Sequence, residues 1–103
     1  MTYQLAYISP AKEDVRAAKA WYKNQSQGLE KRLAESIKNT LQAIQKNPLG
    51  YSIRYKTARV AYTKVFPYAI HYHIDELDQK IIILAIVHIK RSPIIAQSRQ
   101  PET

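Results

Sequence analysis

The sequence predicts an α+β domain of two layers: a helical hairpin packed on one face of a mainly antiparallel sheet, in the order β-αα-βββ. Three observations predict it. Apolar residues recur at helical spacing between residues 10 and 46. Residues 70–75 alternate: Ile70, Tyr72 and Ile74 on one face, His71, His73 and Asp75 on the other. The run Ile81 to Val87 is apolar throughout, as in a strand covered on both faces.

The first element is a strand over residues 3–8, where Tyr3, Leu5 and Tyr7 alternate with Gln4, Ala6 and Ile8. Ser9-Pro10 then starts a helix. Serine can cap it, and proline suits the first helical position, where an N–H has no partner. Glu13 and Asp14 are expected in the first turn, against the positive end of the helix dipole. Val15, Ala18 and Tyr22 share a face, with Trp21 at its edge. Gln27-Gly28 breaks the pattern near residue 26. A second helix over 28–46 carries the stripe Leu29, Leu33, Ile37, Leu41 and Ile44. The short break makes the two helices antiparallel neighbours. Asn47-Pro48 ends the second, because the residue before proline disfavours the α region. Residues 48–53 read as a loop. From about Arg54 to Val87 the chain reads as strand, with a turn over 76–79. The other face of the sheet is expected to meet solvent or a partner. Buried positions should include Val15, Ala18, Leu33, Ile37, Leu41, Ile44, Ile83 and Ala85.

A chain of 103 residues is one domain, here 1–96, with 97–103 as a flexible tail. It has no cysteine, hence no disulfide framework and no thiolate metal site. The start lacks a basic segment followed by an apolar one, so no signal peptide is expected. The longest apolar run falls far short of the ~20 residues of a membrane helix, and a soluble cytoplasmic protein is expected. The net charge of +8 attracts anionic partners. Arg54, Lys56, Arg59 and Lys64 come without an acid until Asp75, and Lys90, Arg91 and Arg99 form a second acid-free stretch. A solvated basic surface would produce the same count. These charges flank strands, which favours a partner-binding face.

His71, His73 and Asp75 could bind a metal or move protons, but one strand offers only ligands in a row, so no metal is expected. A polar sheet face is the blander reading. His88 ends the apolar strand three residues before Arg91. Histidine suits proton transfer near neutral pH, and arginine grips phosphate or carboxylate in bidentate fashion. Together they could serve RNA cleavage, or merely fix the strand end. Trp21 and Tyr22 could form a recognition surface, although aromatics at helical spacing are usually core. Tyrosines interleaved with basic residues at Arg54-Tyr55-Lys56 and Tyr62-Thr63-Lys64 resemble a stacking platform for single strands, while tyrosine is also a good strand former. Phosphate-binding loops, dinucleotide glycine motifs and a nucleophile elbow are absent from the sequence, so small-molecule enzymes and cofactors are not expected.

Several segments carry a family likeness: Ala20-Trp21-Tyr22, Gln25-Ser26-Gln27-Gly28-Leu29, Asn47-Pro48 with Tyr51, Phe66-Pro67-Tyr68, the strand Ile70 to Asp75, and His88-Ile89-Lys90-Arg91-Ser92-Pro93. In this order and spacing they resemble the RelE/ParE superfamily, the toxins of bacterial type II toxin–antitoxin, or plasmid-stabilisation, modules. The resemblance spans roughly Tyr3 to Pro93. The hairpin junction and the basic ending look like the ParE branch, whose members are understood to bind DNA gyrase. It implies Arg59, Lys64, Tyr68, His71, His73, His88, Lys90 and Arg91 as target- or antitoxin-binding residues. It also implies an acidic, largely disordered antitoxin that folds onto the toxin as a hetero-oligomer. The alternative is a RelE-type ribosome-dependent mRNA endoribonuclease, in which His88, Arg91, His71 and Lys64 would be catalytic. RelE-type members generally carry a basic residue at the place of Ala69 and a Tyr or His beyond the final Arg. Here Ser92, Pro93, Ile94 and Ile95 follow. An inactive protein-binding module of the same fold is a third reading.

Overall fold

The computed structural model describes residues 3–91 and Arg99. Strand β1 (Gln4–Tyr7) leads into helices α1 (Ser9–Gln25) and α2 (Leu29–Lys46), a short 3-10 turn (Pro48–Gly50), and strands β2 (Ile53–Tyr55), β3 (Ala58–Tyr62), β4 (Tyr68–Asp75) and β5 (Lys80–His88). The five strands form one sheet in the order β1-β5-β4-β3-β2. β1 pairs with β5 in parallel, and all other pairs are antiparallel. The two-layer α+β architecture is as expected. One strand is added: the stretch from Arg54 divides into β2 and β3 because Lys56 turns at φ 46°. No helix among the described residues is long and apolar enough to cross a membrane.

The helix boundaries fall within two residues of expectation. Ser9 is not the cap, however. Ile8 holds that position, its carbonyl accepts the N–H groups of Ala11 and Lys12, and no side chain caps the end. Starting at Ser9 also carries Glu13 and Asp14 past the first turn. Gly28 enters α2 at φ 83°, a left-handed conformation that costs glycine nothing and sets the tight hairpin.

The main core joins the helical stripe to one sheet face. Leu33, Ile37, Leu41 and Ile44 meet Ile70, Tyr72, Ile81, Ile83 and Ile86, all buried. Ala18 is buried as expected, whereas Val15 is only half-buried, at a gap between the helices. Tyr72 is fully enclosed and donates its hydroxyl to the Pro48 carbonyl at 2.6 Å, which ties the loop after α2 to the sheet. The opposite face, expected to meet solvent or a partner, is in part covered by the chain itself. Val60, His71, Ala85 and Val87 are buried there, with Tyr55 from the β2–β3 hairpin packed against Ala85 and Val87.

β5 changes phase part-way. Tyr72 pairs with Ile83 but His71 with Ala85, so Leu84 is a bulged extra residue. Ile81 and Ile83 therefore face the helices, and so do Ile86 and His88 beyond the bulge. The continuous apolar run is explained by this switch together with burial on both faces.

Candidate functional site: the cleft between α1 and the end of β5

β1 stops at Tyr7, opposite Ile83, so no described strand flanks the later half of β5 on that side. Side chains take over there. Asp14 of α1 accepts the Ile86 N–H at 3.1 Å. Arg99 grips both oxygens of Asp14, at 2.6 and 3.2 Å, and donates to the Leu84 carbonyl at 3.2 Å. A carboxylate and a guanidinium thus satisfy the strand edge as a neighbouring strand would.

Next to this pair lies a cleft of about 540 Å³ between α1 and the β4–β5 end. Tyr22 packs its edge on Phe66 (5.2 Å between centroids) and leans on Tyr68 at 6.1 Å. Trp21, one helical step round, stands edge-on to Tyr22 at 4.8 Å and keeps 56% of its surface exposed. Tyr68 and His88 are cross-strand partners with rings 5.8 Å apart. Beyond His88 the chain turns: the Arg91 N–H donates to the His88 carbonyl, and the Lys90 N–H reaches His88 Nδ1 at 3.2 Å. Arg91 therefore lines the cleft. Burial raises the Tyr68 pKa, Tyr22 adds to this and Arg91 opposes it, so the phenol stays protonated at neutral pH. The result is an aromatic wall with guanidinium groups beside it. Trp, Tyr and Arg are the side chains that carry most energy at protein interfaces.

Of the sequence-selected residues, the cleft gathers Tyr68, His88 and Arg91. Lys90 follows them on the exposed rim. The others lie elsewhere. His71 is buried on the far face of the sheet, with Nδ1 2.7 Å from the Tyr55 hydroxyl and Nε2 unpartnered. Burial lowers its pKa to about 4, helped by Arg99, so it is neutral. Burial likewise raises Tyr55 to about 12. His73 sits 2.8 Å from the Thr57 hydroxyl. Arg59 donates to the Tyr51 carbonyl. Lys64 lies exposed in the β3–β4 turn, where its carbonyl accepts the Ser36 hydroxyl. Ser92 and Pro93 of the basic ending, and the expected tail apart from Arg99, lie outside the described residues. The described residues hold no group of three or more His, Cys, Asp or Glu arranged for a metal.

Sequence reasoning missed Asp14 and Arg99. They are 85 residues apart, and no local pattern links them. Asp14 read as a helix-start acid, and Arg99 as part of a tail. Trp21 was legible as the edge of the α1 stripe, although its exposure was not.

The family profile described as "ParE toxin of type II toxin-antitoxin system, parDE" matches residues 6–93. A search of curated proteins found no match. Among solved structures, the chain is similar to one from the chromosomal ParDE system of P. aeruginosa, with TM-score 0.69 and 20% identity over 84% of this chain and 96% of that one. It is similar to one from the RelBE2 toxin–antitoxin complex of Mycobacterium tuberculosis, with TM-score 0.59 and 17% identity over 85% and 99%. It also resembles a double-arginine mutant of E. coli toxin RelE in the free state, with TM-score 0.63 and 13% identity over 96% and 94%. At these identities the structures speak for the fold alone, while the profile spans most of the two-layer domain, from the end of β1 through the basic ending. The chain belongs to the ParE toxin family of type II toxin–antitoxin systems.

Proposed function

We propose that this toxin arrests growth by binding DNA gyrase through the α1–β5 cleft, and that a cognate acidic antitoxin neutralises it in the cytoplasm as part of a plasmid-stabilising module. The observation that carries the reading is the dispersal of the would-be nuclease groups. His88 and Arg91 share the cleft. His71 is enclosed on the other face, and Lys64 lines a separate hollow with Ser36 and Tyr62. General acid–base catalysis needs its donors and acceptors within hydrogen-bond reach of one reacting group. An exposed Trp21 beside Tyr22, Tyr68 and Arg91 suits recognition instead.

The test is induction of the chain alone, followed by gyrase supercoiling and mRNA-cleavage assays on the same cells. Supercoiling should fall, with message intact. His88→Gln keeps hydrogen-bonding capacity and loses titration, so toxicity should persist. Arg91→Ala should weaken toxicity. Message cut by the parent chain, with a loss of about 10²–10⁴ in cleavage rate for His88→Gln, would overturn the gyrase reading in favour of ribonuclease action.

A further inference from the structure

Between α2 and the β3–β4 turn lies a polar hollow of about 250 Å³ that shares no lining residue with the aromatic cleft. Ser36, Asn39 and Thr40 line it from α2, at the i, i+3 and i+4 spacing that gathers side chains on one face. Tyr51, Tyr62 and Lys64 line it from the chain beyond α2. The turn is pinned in place. The Ser36 hydroxyl donates to the Lys64 carbonyl at 2.6 Å, and the buried Thr63 hydroxyl donates to the Phe66 carbonyl at 2.7 Å. Val65 follows at φ 74°, which a β-branched residue keeps only where its surroundings over-determine it. The Thr40 hydroxyl is also engaged, on the Ser36 carbonyl at 3.0 Å. Four other polar groups are not. Among the described residues, the Asn39 amide, the Tyr51 and Tyr62 hydroxyls and the Lys64 ammonium have no hydrogen-bond or ion-pair partner. No acidic residue lines the hollow. A solvated lysine alone would mean little, but here three neutral donors accompany it around one concavity. One cation with neutral donors and no carboxylate suits an oxyanion, and lysine binds phosphate as a point charge. A carboxylate would bring two oxygens to these donors, whereas a phosphate monoester brings three and more charge. The volume exceeds what phosphate alone fills and lies below the ~300–1,000 Å³ of ordinary ligand pockets. That leaves room for a small organic body against a tyrosine ring. We propose that this hollow binds a small phosphate monoester, with its dianionic group on Lys64, Asn39 and the tyrosine hydroxyls. The gyrase reading does not require this site, and the two stand or fall apart.

The probe is AMP, titrated into the intact chain with amide NMR to map the contact, beside adenosine, inorganic phosphate and acetate. AMP should give saturable shifts at Asn39, Tyr51, Tyr62 and Lys64 at millimolar concentration or below. Inorganic phosphate should shift the same amides more weakly, and adenosine and acetate should leave them in place. Asn39 and Lys64 are exposed, so Asn39→Ala and Lys64→Gln should keep the fold, and each should weaken AMP binding about tenfold. Lys46→Gln removes an exposed charge of α2 outside the hollow and should change nothing. AMP should also raise the melting temperature of the parent chain, and much less that of Lys64→Gln. The proposal fails if AMP gives no saturable shift at millimolar concentration. It fails equally if adenosine shifts the same amides, if acetate or inorganic phosphate binds as tightly as AMP, or if either lining variant binds AMP like the parent. A loss for Lys46→Gln equal to that for Lys64→Gln would mean that AMP answers only to net charge, and shifts confined to His88 and Arg91 would move the binding to the aromatic cleft. Either result sinks this site.

Discussion

The two halves of β5 have almost the same composition and are finished in different ways. Ile81 and Ile83 lie between β1 and β4, with backbone partners on both sides and helices above. Leu84 to Val87 are equally apolar and equally buried, yet on the β1 side their backbone is met by Asp14 and Arg99. Burial by itself therefore does not say how a strand is held. The first half is fixed by a repeating ladder and packing, the second by a few charged groups from distant positions. The first should fail only through lost volume, and the second through lost charge or changed pH.

The largest effect is expected in the first half. Ile83→Ala opens a cavity at a fully buried site and should cost about 2–5 kcal/mol in denaturant unfolding. A loss below about 0.5 kcal/mol would mean the packing there is loose. Asp14→Ala strikes the second half. It removes the acceptor for the Ile86 N–H and strands Arg99, and should cost about 2–3 kcal/mol, reduced by the partial exposure of the pair. The Ile86 amide should then exchange faster while the Ile83 amide stays protected. Equal acceleration at both would erase the distinction between the halves.

The third effect is in pH. His71 pairs across from Ala85 and is held neutral, with its pKa lowered to about 4. The unfolded chain takes up the proton first as pH falls, so stability is complete above about pH 6.5 and declines towards pH 4. The loss between pH 7 and 5 should be about 2 kcal/mol. His71→Gln should flatten that slope, and an unchanged slope would place the titration elsewhere. The smallest effect is a control outside β5. Val65 is β-branched, exposed and at φ 74° in the β3–β4 turn, a conformation that costs it energy. Val65→Gly should raise stability by about 0.5–1 kcal/mol without altering either half of β5.

Legibility followed the range of the interaction. Helix limits were readable because periodicity, Pro10, Gly28 and Pro48 act within a few residues. The stripe from Leu33 to Ile44 was readable because its partners need only be apolar. The bulge at Leu84 was not, since a run that is apolar at every position reads the same in either phase. His71 looked like a member of a polar face because alternation marks the side of a sheet and says nothing of what covers it. The cleft was half visible: Tyr68, His88 and Arg91 converge as neighbours on one hairpin. Asp14 and Arg99 were hidden by their separation along the chain.

Trp21 is the only tryptophan in the chain, half exposed at the mouth of the aromatic cleft. Its indole emission therefore comes from one place. A protein partner that covers the ring should shift that emission to shorter wavelength, while a ligand bound away from the cleft should leave its colour unchanged. The chain thus carries an intrinsic fluorophore that reports on occupancy of this one cleft, with no label attached.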